Sequence, residues 1–81
     1  MYTTDLELLN SYIKESGLKR DYLGKALGLS RASFIYRMRG RRDFTITDVY
    51  KLSIVLHLTE SDIMKIFFAK RVSKINVYTT V

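Results

Sequence analysis

Arg31, Arg37, Arg39, Arg41 and Arg42 fall within twelve residues, and no carboxylate interrupts them. A guanidinium is a rigid fork of N–H donors. It fits two oxygens of a phosphate, or O6 and N7 of guanine, through parallel hydrogen bonds. The chemistry on offer is therefore the gripping of a polyanion. The chain has 81 residues and a net charge of +6. Residues 1–29 set Asp5, Glu7, Glu15 and Asp21 against Lys14, Lys19, Arg20 and Lys25, and residues 43–81 are nearly balanced too. Almost the whole excess thus belongs to the arginine-rich stretch, and the bland alternative is a solvated basic face.

Catalytic chemistry finds little to work with. The acids lie toward expected helix starts, where capping and the helix dipole account for them. Ser30, Ser33 and Ser53 have no nearby histidine base, and no glycine-rich phosphate loop follows a strand. His57 is the single histidine and there is no cysteine, so a disulfide framework or thiolate metal site is not expected. No enzyme, metal or cofactor is expected. No apolar run approaches the length of a membrane span and the N-terminus does not read as a signal peptide, so a cytoplasmic, nucleoid-associated protein is expected.

The arginines must be positioned by residues 20–40, RDYLGKALGLSRASFIYRMRG. Tyr22, Leu23, Ala26 and Leu27 share one face of a short helix over about 20–27. Gly28 supplies a positive-φ stop, Leu29 plugs the angle, and Ser30 can cap a second helix over about 30–39. That helix has Phe34 and Met38 on its packing side and Arg31, Ala32, Ser33, Tyr36, Arg37 and Arg39 elsewhere. Two helices, a glycine-containing turn and a basic outer face make the outline of a DNA-binding helix-turn-helix.

At these residues the chain resembles the Cro/CI-type (XRE-like) helix-turn-helix family of phage repressors. The family's core run of small residue, three residues, glycine, aliphatic and Ser/Thr is matched by Gly24, Lys25-Ala26-Leu27, Gly28, Leu29 and Ser30. Gly24 stands where alanine is usual, opposite a larger Phe34, and Lys19-Arg20 replace the usual Thr-Gln. The run Gly40-Arg41-Arg42-Asp43-Phe44-Thr45-Ile46 and the pair Phe67-Phe68 resemble small repressor-like proteins of phages from Gram-positive bacteria. The resemblance covers residues 18–69. It implies double-stranded DNA as partner, with Arg31, Ala32 and Tyr36 reading bases and Ser33 and Arg37 bordering that face. Arg20, Ser30, Arg39, Arg41, Arg42 and Thr45 would hold phosphates, which set register without reading sequence.

The rest of the chain reads as scaffold. A first helix over 4–16 has Thr4 and Glu7 at capping spacing and Leu6, Leu9 and Ile13 inward, with Gly17 to end it. Phe44 reads as a core plug. Thr45 and Asp48 open a fourth helix over 46–57, with Val49, Leu52, Ser53 and Leu56 as its packing stripe and His57 in its last turn. Thr59 and Asp62 open a fifth, reaching about residue 71. After Lys74 the pattern alternates like a strand. The expected fold is all-α: one lambda-repressor-like domain of five helices with a strand-like tail over 73–81. Two-fold operators suit two-fold dimers, so a homodimer through Met64, Phe68, Val72, Ile75, Val77 and Val81 is expected, the alternatives being a tail paired with residues 1–4 of its own chain or a frayed one. The alternative function is a protein-binding modulator or antirepressor that grips a phage repressor protein through an apolar helix face.

Overall fold

The computed structural model describes residues 2–70. Among them are five helices, α1 Leu6–Ser16, α2 Arg20–Ala26, α3 Arg31–Met38, α4 Ile46–Val55 and α5 Glu60–Phe67. Two-residue strands flank them, β1 Tyr2–Thr3 and β2 Ala69–Lys70. The architecture is all-α, closed by this one short antiparallel pairing, in which Tyr2 faces Lys70 and Thr3 faces Ala69. The fifth helix was expected to continue to about residue 71. It stops at Phe67 because Phe68, at φ −125°, leaves the helical region and turns the chain toward β1. The strand-like tail over 73–81 lies outside the described residues.

Side-chain caps set where most helices begin. Thr45 and Asp48 form a reciprocal capping box at the start of α4, as do Thr59 and Asp62 at α5. At α1 the expected Thr4–Glu7 box is not what forms. Asp5 is the cap, its carboxylate accepting from the Leu8 N–H at 3.0 Å. A charged acceptor at a helix N-terminus gains from the dipole, which a threonine hydroxyl does not. Ser30 caps α3 as expected, accepting from the Ser33 N–H at 3.1 Å.

The ends of the first four helices are followed by residues in the left-handed region, Gly17, Gly28, Gly40 and His57. At Gly28, φ +71°, the Leu29 N–H reaches back to the Gly24 carbonyl at 2.9 Å and the Gly28 N–H to Lys25 at 3.0 Å. The same pair of bonds closes α4, where Leu58 bonds Ser53 at 2.8 Å and His57 bonds Ile54 at 3.3 Å. His57 therefore lies past the helix and not in its last turn. It adopts φ +54°, the one described non-glycine residue with positive φ, at a position glycine usually fills.

The core comprises Leu9 and Ile13 of α1, Leu23 of α2, Leu27 just after it, Phe34 of α3, Leu52 of α4, and Ile66 and Phe67 of α5. Each such side chain contributes about 1.5–3 kcal/mol by leaving water. Phe44 packs against this cluster and meets the Phe67 ring edge to face, centroids 5.7 Å apart. Tyr22, expected on the inward face of α2, is instead 55% exposed, while Ala26 packs on the core. On α4, Leu52 is buried and Val49 and Leu56 pack against the core, while Ile46, Tyr50 and Ile54 line up outward at successive fourth positions. No helix among the described residues is long and apolar enough to cross a membrane.

A polar link ties α1 to α5. The Tyr12 hydroxyl donates to Asp62 Oδ1 at 2.6 Å, while Asp62 Oδ2 accepts from the Thr59 N–H at 2.9 Å. The Tyr12 hydrogen bond, with the Thr59 backbone, holds the Asp62 carboxyl below its ordinary value. The same bond to Asp62 raises the Tyr12 phenol. The signs then follow from linkage. A depressed carboxylate stabilises the fold above its unfolded pKa of about 4, and this contribution is lost as pH falls through the folded value. A raised phenol stabilises below about pH 10 and loses that contribution at higher pH. Tyr12→Phe should therefore be less stable than wild type near neutrality. In urea titrations the difference should shrink below about pH 4 and above about pH 10; a difference independent of pH would refute the link.

Candidate nucleic-acid interface

Helix α3, with its C-cap and the loop that follows, carries the arginines, and its outward arc follows from its own geometry. At about 100° per residue, Arg31, Ile35, Arg39, Ala32 and Tyr36 fall within roughly 140° of one another. Phe34 and Arg37 fall on the opposite side and are buried, and Met38 packs against the core. Arg31, Ala32, Tyr36 and Arg39 are all exposed. Ser33, at the margin of the arc, is only half-buried. The structure thus brings three of the expected base-reading residues onto one surface, with Arg39 beside them.

Arg37 does not belong to that surface. Its side chain is 9% exposed, and its Nε donates to Asp48 Oδ2 at 2.8 Å. Its Nη1 also donates to the Ser33 carbonyl at 3.3 Å. Its position around the helix turns it inward toward α4, and a guanidinium can be held there because a buried carboxylate waits for it. The assignment of Arg37 to the base-reading face is corrected accordingly. Met38 shares the packing, as expected, but beside this ion pair and not in place of it.

Ile35 is the residue the sequence reading passed over. It stands in the middle of the outward arc, half-buried, where an apolar side chain can touch a thymine methyl. The same 100° projection applied to every residue of the helix would have found it.

The expected phosphate-holding residues are distributed around this arc. Arg41 and Arg42 are exposed in the loop after α3, and Arg39 is the residue that ends the helix. Arg20 opens α2 and donates through Nη2 to Asn10 Oδ1 at 2.8 Å, an exposed bond that leaves other N–H groups of the fork available. Ser30 and Thr45 are exposed at the starts of α3 and α4, each with its oxygen accepting a capping N–H. Their hydroxyl protons remain able to donate to an anion.

Between α2 and α3 lies a groove of about 530 Å³, floored by Gly24, Phe34 and Ile35 and rimmed by Arg20, Lys25 and Arg31. Asp21 also lines it, and its Oδ1 lies 3.9 Å from Arg31 Nε with both side chains mostly exposed. At that length and exposure the pair is weak, so Arg31 can exchange it for a stronger acceptor. Gly24 faces Phe34, as expected, but the space between them does not require glycine. A Cβ at residue 24 would sit 3.7 Å from Phe34 Cβ, so the helices are close without a clash.

Of the expected dimer contacts, Met64 and Phe68 are described, and both are exposed. Val72, Ile75, Val77 and Val81 lie outside the described residues. No protein-family model matches the chain, and neither does any curated protein or any solved structure.

Proposed function

We propose that the chain has a lambda-repressor-like helix-turn-helix fold and binds double-stranded DNA by sequence, as a Cro-like transcriptional regulator of phage type. The observation that carries this is the outward arc of α3. Arg31, Ala32, Tyr36 and Arg39 share it, the Ser30 cap opens it, and an arginine loop follows it. A helix of this kind enters the major groove with its N-terminal half deepest. Arg31 then reaches guanine, Ala32 and Ile35 offer methyl contacts, and Tyr36 reaches a base or phosphate. Arg20, Arg39, Arg41 and Arg42 neutralise phosphates on either side, and each such contact releases counterions on binding.

The two kinds of contact separate experimentally. Arg31→Ala should cost about 1–3 kcal/mol on the preferred duplex and relax preference at one base pair. Arg42→Ala should weaken every duplex about equally and reduce the salt slope by about one unit. Selection from a randomised duplex library, followed by binding at matched salt, measures both. An Arg31→Ala protein that selects and binds the wild-type duplex as tightly as wild type would remove this docking.

Association of two copies through α5 is part of the proposal, because one α3 reads only a half-site. Met64, 57% exposed on α5, is the observation behind it. The same apolar exposure supports a second function, the gripping of a repressor protein in place of DNA. Sedimentation at micromolar concentration should show a dimer that Met64→Asp converts to monomer. A wild-type monomer that still binds a two-fold duplex tightly would sink the α5 dimer.

A further inference from the structure

We propose that Arg37 is a positioning residue for the DNA-reading surface. Through Asp48, its guanidinium sets the pose of α3 against α4 and fixes the register between the base-facing side chains and the arginine loop. The role depends on the duplex-binding proposal above; the geometry does not.

One oxygen joins the parts. Asp48 Oδ2 accepts from Arg37 Nε at 2.8 Å and from the Thr45 N–H at 2.9 Å, while the Asp48 N–H donates to Thr45 Oγ1 at 3.0 Å. The last turn of α3 and the capping box of α4 thus meet at a single carboxylate. The bond from Nη1 to the Ser33 carbonyl holds the guanidinium plane against its own helix. At the other end of the loop, the Gly40 N–H donates to the Arg37 carbonyl at 3.1 Å. Residues 39–45 therefore begin on the backbone of Arg37 and end on the Asp48 oxygen that its side chain also holds. Arg39, Arg41 and Arg42 ride on that loop, and Arg31, Ala32 and Tyr36 ride on the helix from which it departs.

Stability alone does not account for an ion pair here. Apolar side chains of similar volume commonly stabilise a core as well as a buried pair does, and Phe34 and Met38 of the same helix are apolar. Hydrogen bonds to one oxygen bring direction as well, since they weaken steeply with angle. Apolar surfaces let a helix slide by comparison. Recognition requires side chains held to within about 0.5 Å and 10–20°, a tolerance that a directional strap can meet.

The test uses the duplex that wild-type protein selects from a randomised library, with poly(dI-dC) as the non-specific competitor. Arg37→Met combined with Asp48→Asn removes the ion pair but leaves an acceptor for the Thr45 N–H, so the α4 cap survives. This variant should keep its affinity for poly(dI-dC) within about twofold, with an unchanged salt slope, and lose about tenfold or more on the selected duplex. Arg37→Lys should fall between, because an ammonium reaches Asp48 but lacks the fork that also holds Ser33. Equal discrimination by all three proteins overturns the proposal. So does an equal loss on both DNAs, which a reduced folded fraction alone would produce. If the paired variant does not fold, Arg37→Lys decides by the same ratio. Residual dipolar couplings on the free proteins report the angle between α3 and α4, which should change in the variants. An unchanged angle overturns the positioning role, whereas a wild type that selects no duplex defeats the DNA proposal and leaves the angle to be judged separately.

Discussion

Asp48→Ala should lower the stability of the fold by about 3–5 kcal/mol, the usual consequence of stranding one member of a buried ion pair. The variant leaves the Arg37 guanidinium inside the protein with the Ser33 carbonyl at 3.3 Å as its remaining described acceptor. It also opens the capping box, so the Thr45 N–H loses its acceptor. A domain of this length has roughly 4–12 kcal/mol in total at 0.05–0.15 per residue, so a large part of the molecules should unfold on mild heating. Urea denaturation at neutral pH measures the difference. A loss below about 1 kcal/mol would mean that the pair is solvated in solution and that α3 is not strapped to α4.

Phe34→Ala should be comparably severe, at about 3–5 kcal/mol. The ring is 2% exposed and forms part of the floor between α2 and α3. Its neighbour across the contact is Gly24, which has no side chain to fall into the space. The vacancy therefore persists, and its cost adds to the lost transfer energy. Ile35→Ala, one residue along on the outward arc, should cost much less because that side chain is only half-buried. If the two substitutions shift the urea midpoint equally, α3 does not present the arc described here.

Much of the scaffold was legible from residue types alone. Gly28, Leu29 and Ser30 announce a closed helix end, a plug and a cap. The pairs Thr45–Asp48 and Thr59–Asp62 announce two more starts, because these signals act over three or four residues and need no tertiary partner. The misplacements have equally physical origins. Thr4 and Asp5 can both cap, and only the backbone decides which one does. Tyr22 is amphipathic, so helical spacing does not say whether its ring is covered. Arg37 was placed outside because arginine usually is, and its inward position makes sense only with Asp48, eleven residues on and across a loop. The pairing of Ala69 with Thr3 is more distant still, and nothing local to either residue announces it. On the candidate interface, Arg31, Ala32 and Tyr36 were singled out by the family resemblance and do share one exposed arc, whereas removing Arg37 from that face needed the fold.

The clasp between Tyr2–Thr3 and Ala69–Lys70 also bears on the order of events in folding. The turn at Gly28 and the helix caps close loops of a few residues, which takes microseconds or less. The clasp, with the neighbouring bond from the Asp5 N–H to the Ile66 carbonyl at 2.6 Å, joins opposite ends of the described chain. Its loop-closure entropy is the largest among the described contacts, and it is recovered only once the helices between have condensed. The clasp is therefore a late contact. In kinetic terms it contributes to how long a folded molecule lasts, and hardly at all to how fast one forms.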